Sequence, residues 1–312
     1  MEFEMKKVFI DGKAGTTGLR IEERLSSRTD VEIISLPEEK RKDTEARREM
    51  LNRADIVFLC LPDAAAKEAV QMIENPDTVV IDASTAHRTN PDWAYGFAEL
   101  GEDFEEKIRN SKRIANPGCH ASGFIALVYP LVKAGIIPKD ALLSAHSLTG
   151  YSGGGKSMIA EYEADELAPL LAAPRQYGIS QAHKHLPEMV KVCGIDTPPV
   201  FSPIVAPFYS GMEVTVPLHR AEINGTVDDI KEVYKKLYTG PLVKYNEGMD
   251  EGGFLSAGRF EGLDSMSVEV FGNEDRIILV ARYDNLGKGA SGAAVECLNI
   301  KLGCDKALGL EI

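Results

Sequence analysis

Short apolar runs alternate with amphipathic stretches through the first third of the chain. Residues 8–10, 31–34, 56–61 and 79–81 are runs rich in Val and Ile, the mark of strands buried on both faces. Between them, residues 17–26, 43–53 and 64–73 read as helices. This strand-helix rhythm predicts a parallel sheet covered on both sides. After residue 119 the texture changes. Residues 142–148, 200–206, 212–219, 266–271 and 276–281 are longer strand candidates, some alternating, with residues 227–237 as one covering helix. The expected fold class is α/β: a Rossmann-like, doubly wound parallel sheet plus an α+β domain with a mixed or antiparallel sheet. Residues 289–302 form a last helical segment, expected to return to the first domain. Residues 1–118 and 288–312 then make one domain and residues 119–287 the other.

A chain of 312 residues has room for two such cores. Its 44% hydrophobic and 27% charged residues fit a soluble globular enzyme, and its net charge of −13 argues against a nucleic-acid partner, whose footprint is basic. Residues 1–7 lack the pattern of a signal peptide. The longest apolar stretch, residues 121–132, is too short for a membrane span and contains Pro130. A cytoplasmic protein is expected, with no membrane partner. Five cysteines at positions 60, 119, 193, 297 and 304 are odd in number and lack metal-ligand spacing. They suit a reducing compartment and give no metal site.

Three polar clusters carry the candidate chemistry. Strand 8–10 runs into Gly12-x-x-Gly15-x-x-Gly18 and then a helix. Glycines there permit a tight turn and the close approach of a pyrophosphate to a helix start. An NAD site carries an acid after its second strand. Here Ser35 stands in that neighbourhood, followed by Lys40, Arg41 and Lys42. Those residues suit a 2′-phosphate and hence NADP(H), the other reading being the cations of a solvated loop.

The turn Asn116-Pro117-Gly118-Cys119 precedes Phe124, Leu127, Val128 and Leu131 at helical spacing. Cys119 is therefore expected at a helix N-terminus, where the macrodipole favours the reactive thiolate; a small buried hydrophobe is the alternative. In His183-Lys184-His185-Leu186-Pro187-Glu188, two imidazoles flank a cation, a proton-transfer and anion site. Which imidazole acts is open, with a slight lean to His185, and an exposed loop ahead of a helix begun at Pro187 is the other reading. Arg88 follows strand 79–82 at the sheet end where such folds bind ligands, as a fork for a carboxylate or phosphate. Residues 149–156 offer either an anion cradle or a flexible glycine loop. His87, His120, His146 and His219 are weaker candidates; His120 is next to Cys119 in sequence, which does not by itself turn its ring toward the sulfur.

Ile10-Asp11-Gly12-x-x-Gly15-Thr16-Thr17-Gly18, Asn116-Pro117-Gly118-Cys119, the 183–188 motif and Asp284-Asn285-Leu286-Gly287-Lys288-Gly289-Ala290-Ser291-Gly292 together resemble the N-acetyl-γ-glutamyl-phosphate reductases of arginine biosynthesis, in their shorter form. The likeness spans nearly the whole chain. It implies a Rossmann domain interrupted by a catalytic one, NADP(H) as cofactor and a homodimer or homotetramer. It further implies Cys119 as nucleophile and the His183/His185 pair as acid-base group. Gly12, Gly15, Thr16, Thr17, Gly18, Ser35 and Arg41 fall on the cofactor side, with Asn285 near the nicotinamide. Arg88, Lys184 and Asn116 fall on the substrate side. One departure stands out. The longer form has an acidic-aromatic-arginine sequence where this chain reads Asp82-Ala83-Ser84-Thr85-Ala86-His87-Arg88, which leaves the contacts around Arg88 open.

The implied reaction is reduction of an acyl phosphate through a cysteine thioester, with release of inorganic phosphate. Aspartate-semialdehyde dehydrogenase and a reductase of N-acylated aminoadipyl phosphate share that chemistry, and one methylene is discriminated by only about 1–3 kcal/mol. A catalytically silent NADP-binding regulator is the non-enzymatic alternative.

Overall fold

A computed structural model describes residues 5–312; residues 1–4, part of the segment inspected for a leader, lie outside the described residues. In chain order the elements are β1 (Lys6–Asp11), α1 (Thr16–Leu25), β2 (Val31–Ile34), α2 (Thr44–Arg53), β3 (Ile56–Leu59), α3 (Asp63–Met72), β4 (Val79–Asp82), β5 (Ala94–Tyr95), α4 (Glu102–Asn110) and β6 (Arg113–Ala115). They continue with α5 (Cys119–Lys133), β7 (Ser144–Gly150), α6 (Gly155–Tyr162), β8 (Arg175–Gln176), α7 (Leu186–Cys193), β9 (Val200–Ala206) and β10 (Met212–His219). The last are α8 (Val227–Leu237), β11 (Val243–Tyr245), β12 (Met266–Gly272), β13 (Arg276–Tyr283) and α9 (Gly292–Leu302). The chain divides into two compact units. Unit 1 holds the residues up to Ala98, Glu102–Pro117 and Ala290–Leu310; unit 2 holds Glu99–Gly101, Gly118–Gly289 and Glu311–Ile312.

Unit 1 is built on a parallel sheet in the order β2-β1-β3-β4-β6-β5. Alternation along β1 sends Val8 and Ile10 to one face and Phe9 to the other. On the first face they meet Ile21 and Leu25 of α1 and Ala294, Val295 and Leu298 of α9. On the second, Phe9, Val57 and Leu59 meet Met50 and Leu51 of α2 and Ala66 and Ala69 of α3. All four residues of β3 are buried, which is why the run reads as continuous rather than alternating. β3 ends at Leu59, two residues short of the predicted run, ahead of Pro62 at the start of α3. β5 and β6, of two and three residues, are too short to leave a periodicity, and they were not foreseen.

Unit 2 carries a mixed sheet in the order β11-β12-β13-β10-β7-β9-β8. β12, β13, β10 and β7 pair antiparallel, whereas β7 with β9 and β11 with β12 are parallel. α5 packs against β10, β13, α7 and α8, and its residues from His120 to Val128 are all buried. Pro130 lies inside this helix. Having no N–H, it leaves the carbonyl four residues earlier without its helical partner. Tyr238 Oη, just past the end of α8, donates to that carbonyl, Ala126 O, at 2.7 Å, and Tyr234 Oη of α8 donates to Leu127 O at 2.5 Å. The glycine stretch after β7 is ordered as a turn that runs straight into α6, with Lys156 in its first turn.

Candidate active site

In unit 1 the turn from β1 to α1 borders a cavity of about 850 Å³. Gly12 has φ of +88°, and a Cβ there would stand 2.3 Å from Cys60 O; a Cβ on Gly18 would stand 2.8 Å from Gly12 O. Both glycines are demanded by the turn itself. Gly15 differs. It has an extended conformation, and an added Cβ would meet only Gly12 O, at an ordinary 3.4 Å. Packing permits a side chain at this cavity-lining position, so its absence suits the close approach of a ligand. Ser35, Arg41 and Lys42 line the same cavity with Gly12, whereas Thr16, Thr17, Gly18 and Lys40 are outside its lining. Arg41 Nη1 is 2.6 Å from Glu38 Oε1, and Lys42 has no ion pair among the described residues. Among the lining residues that the sequence reading gave no role are Asp11, at the end of β1, and Arg47 of α2, paired at 2.8 Å. A carboxylate directly ahead of a phosphate-type turn was the available signal, since it calls for a counter-charge. Cys60 also lines the cavity. Burial, then the charges of Asp82 and Asp11, pushes its thiol up to about 12.

At the end of β4, Asp82 organises the loop that carries Arg88. Its Oδ1 accepts from Ser84 N at 2.9 Å; its Oδ2 accepts from Ser84 Oγ at 2.7 Å and lies 2.6 Å from His87 Nδ1. The His87 ring stacks on Trp93 with centroids 4.0 Å apart. Arg88 is buried. Its Nε donates to Asn116 O at 2.8 Å and its Nη2 to Ala83 O at 2.9 Å. This guanidinium supports the turn that leads into Cys119. Asn116 Nδ2 donates to Ala290 O at 2.9 Å, and its buried Oδ1 has no hydrogen-bond partner among the described residues.

In unit 2, Cys119 is the first residue of α5 and is partly exposed, with Gly118 as an extended N-cap. Three contacts fix that first turn. Gly118 N donates to Glu188 Oε1 of α7 at 2.8 Å. Tyr283 Oη of β13 donates to Cys119 O at 2.5 Å and accepts from Gly123 N at 3.0 Å. A Cβ on Gly289 would stand 3.1 Å from the Cys119 Cβ, so the 284–289 turn passes close beside the cysteine. Within that turn Asn285 Oδ1 accepts from Gly211 N at 2.9 Å and its Nδ2 donates to Ser152 Oγ at 3.0 Å. Lys288 Nζ meets Glu99 Oε1 at 2.6 Å.

The predicted histidine pair is gathered around a residue that the sequence pattern undervalued. The buried His120 ring lies 5.5 Å from His183 and 5.7 Å from His185, which are 4.8 Å from each other. Its Nδ1 is 2.6 Å from Ser147 Oγ and its Nε2 is 2.6 Å from Tyr177 Oη. Burial, then the neighbouring His183 and Lys184, lowers His120 to about 3. His183 is lowered to about 4 by burial and then by the charge of Lys184, which is itself exposed. His183 Nδ1 accepts from His185 N at 3.2 Å, which leaves the ring proton of the neutral form on Nε2. Burial, reinforced by Cys119, raises the Tyr177 phenol above its ordinary range. Tyr177, Ser147 and Tyr283 carried no sequence signal, because strand and loop positions far apart in the chain bring them here. Among the described residues no group of three acidic, cysteine or histidine side chains is disposed to hold a metal.

Two family models match the chain in sequence order. The semialdehyde dehydrogenase NAD binding domain covers residues 3–110, and the semialdehyde dehydrogenase dimerisation domain covers residues 119–285, opening on the cysteine itself. The fold and the helix-heading thiol thus define an NAD(P)-dependent oxidoreductase of the semialdehyde dehydrogenase class. Aspartate semialdehyde dehydrogenase II of Vibrio cholerae, solved in complex with ASA, matches with a TM-score of 0.74 at 18% identity, covering 96% of this chain and 99% of that one. The Candida albicans enzyme, solved with NADP, matches with a TM-score of 0.63 at 15% identity, over 95% and 98%. At those identities the likeness is one of fold. In sequence, N-acetyl-gamma-glutamyl-phosphate reductases of Brucella ovis and Brucella abortus are 46% identical over 306 residues, 95% of this chain and 99% of theirs. The chain belongs to the N-acetyl-gamma-glutamyl-phosphate reductase family.

Proposed function

We propose that this chain reduces N-acetyl-L-glutamyl 5-phosphate to N-acetyl-L-glutamate 5-semialdehyde with NADPH, releasing inorganic phosphate, as a step of arginine biosynthesis. The observation that carries this reading is the thiol of Cys119 at the first position of α5. Its backbone is tied down by Tyr283 and Glu188 in a chain 46% identical to reductases of that name. The Cys119 sulfur attacks the acyl carbon and expels phosphate, which divides one hard reduction into two easier steps. The backbone N–H groups at the start of α5 face the developing oxyanion, a place where preorganised donors count most. A neutral imidazole of the His183/His185 pair takes up the thiol proton, returns it to the oxyanion and receives it again as the hemithioacetal collapses to aldehyde and thiolate. Lys184, Arg88 and Asn116 are assigned to substrate binding.

The cavity over the β1–α1 turn fits a dinucleotide, with Gly12 and Gly15 at the pyrophosphate and Ser35, Arg41 and Lys42 toward a 2′-phosphate. When bound, NADPH supplies the hydride. A cytoplasmic homodimer or homotetramer completes the proposal, its oligomeric part supported by the dimerisation-domain match.

The test is phosphate-dependent reduction of NADP with N-acetylglutamate semialdehyde, set against its one-carbon-longer analogue. Wild-type protein is expected to prefer the shorter substrate. Cys119→Ala is expected to lose turnover while still binding NADPH. Near-wild-type kcat in that variant would overturn the thioester route, and preference for the longer analogue would move the substrate to the aminoadipyl series.

A further inference from the structure

The nucleotide cavity contains an acid that a binding site for a polyanion should not tolerate. Asp11 closes β1 immediately before Gly12, lines the cavity and is buried. Arg47, from the first turn of α2, places Nη2 at 2.8 Å and Nε at 3.2 Å from the same oxygen, Asp11 Oδ2. The two side chains are only 12% and 6% exposed. The helix that delivers Arg47 is itself anchored, because Asp43 Oδ1 caps it by accepting from Ala46 N at 2.9 Å.

The other charged groups around the cavity are accounted for. Lys13 is paired with Glu22 at 2.5 Å and Arg41 with Glu38 at 2.6 Å, while Lys42 is left for a ligand. Without Arg47, a buried carboxylate would face the phosphates of a dinucleotide across a cavity with low-dielectric walls, where charges several ångströms apart still interact strongly.

We propose that Arg47 is a positioning residue for cofactor specificity: it masks the charge of Asp11, so that the cavity accepts an anionic dinucleotide and above all one bearing a 2′-phosphate. The proposal rests on the nucleotide site assigned to this cavity under the proposed function. Arg47 acts through Asp11 and not by touching the ligand. The cost of losing it therefore scales with the ligand's charge and disappears when the acid disappears.

The experiment measures dissociation constants by titration calorimetry for NADPH, NADH, 2′,5′-ADP and 5′-AMP. The proteins are wild type, Arg47→Gln, Asp11→Asn and the double variant, each at about 0.05 and 0.3 M salt, with circular dichroism confirming the fold. Arg47→Gln is expected to weaken 2′,5′-ADP and NADPH by about tenfold or more, on the scale of one uncompensated nearby charge. It should weaken 5′-AMP and NADH less, and the deficit should shrink at the higher salt. The double variant is expected to return to within about threefold of wild type, as the partnerless carboxylate is gone.

A double variant as weak as Arg47→Gln would mean that Arg47 contacts the phosphates directly, and would overturn the masking role. An equal, salt-independent loss for all four ligands would mark a merely structural pair and would overturn it as well. If wild-type protein binds neither NADPH nor 2′,5′-ADP, it is the nucleotide site itself that fails, which separates the two.

Discussion

Tyr283 is the tie between the central sheet of unit 2 and the reactive turn, and Tyr283→Phe isolates that tie by removing one oxygen. The ring stays in its buried place, so no cavity opens. What is lost is the donor to Cys119 O at 2.5 Å and the acceptor of Gly123 N at 3.0 Å, both buried. Leaving a buried polar group without its partner costs about 1–3 kcal/mol. These two groups lie four residues apart in one helix and are able to bond each other, so the net cost should fall toward the low end, about 1–2 kcal/mol. For a domain of this size that lowers the melting temperature by roughly 2–8 °C.

The larger effect should be on chemistry. Without the tie to β13 the first turn of α5 is free to shift, and displacement of a reacting group by about 1 Å is enough to cost up to ~10²-fold. We expect kcat to fall by about tenfold, with NADPH affinity unchanged because the nucleotide cavity lies wholly in unit 1. Steady-state turnover, NADPH fluorescence titration and the alkylation rate of Cys119 by iodoacetamide measure the three quantities. Wild-type kcat and alkylation rate in a variant that melts lower would show that Tyr283 stabilises the helix without aiming the thiol. A matching loss of NADPH affinity would show that the damage is not local.

The remaining expectations concern the imidazoles and the cofactor. One of His183→Asn and His185→Asn should lower kcat by about 10²–10⁴, the usual worth of a positioned acid-base group, while the other mainly raises KM; wild-type kcat and pH profile in both would remove histidine from the proton-transfer role. His120 and His183 titrate near 3 and 4 in the folded protein against an ordinary 6.5, so between those values the unfolded chain binds more protons. Stability should accordingly be complete above pH 6.5 and fall as the pH drops toward 4, and a urea midpoint that stays level from about pH 7 to about 4.5 would contradict the burial of neutral imidazoles. Lys42→Ala should reduce the preference for NADPH over NADH, each charge-assisted hydrogen bond being worth about 1.5–3 kcal/mol; an unchanged ratio of kcat/KM would take Lys42 out of the 2′-phosphate site.

The parts of this fold that were legible in sequence are those with a strong local signature. β1, β2 and β4 are short runs rich in Val and Ile, and α5 opens at the cysteine after a Pro-Gly turn and carries an apolar stripe, so each announces its type without reference to the rest of the chain. The position of Cys119 at a helix start belongs to this group. What stayed hidden depends on partners distant in sequence. His120 looked peripheral because only the fold shows that Ser147 and Tyr177 hold both its nitrogens and that the 183–185 segment packs on its ring. Arg88 read as a fork for a carboxylate or phosphate, and only the meeting of the β4 loop with the turn at Asn116 reveals carbonyl acceptors for it. The glycines of the β1–α1 turn looked alike in sequence, and their steric surroundings alone separate two that the turn demands from one that it does not.

The layout of unit 1 has a consequence for how the molecule is made. Its sheet is specified by residues up to Ala115, but one face of that sheet is covered by Ala294, Val295, Leu298 and Ile300 of α9, which leave the ribosome only after nearly all of unit 2. At ordinary rates of about 5–20 residues per second, the uncovered apolar face waits for roughly 9 to 36 seconds. Unit 2 is nearly contiguous and needs none of α9 to complete its sheet. Chains truncated before residue 290 and released from the ribosome should therefore hold a protease-resistant unit 2 and a nucleotide unit that chaperones still bind.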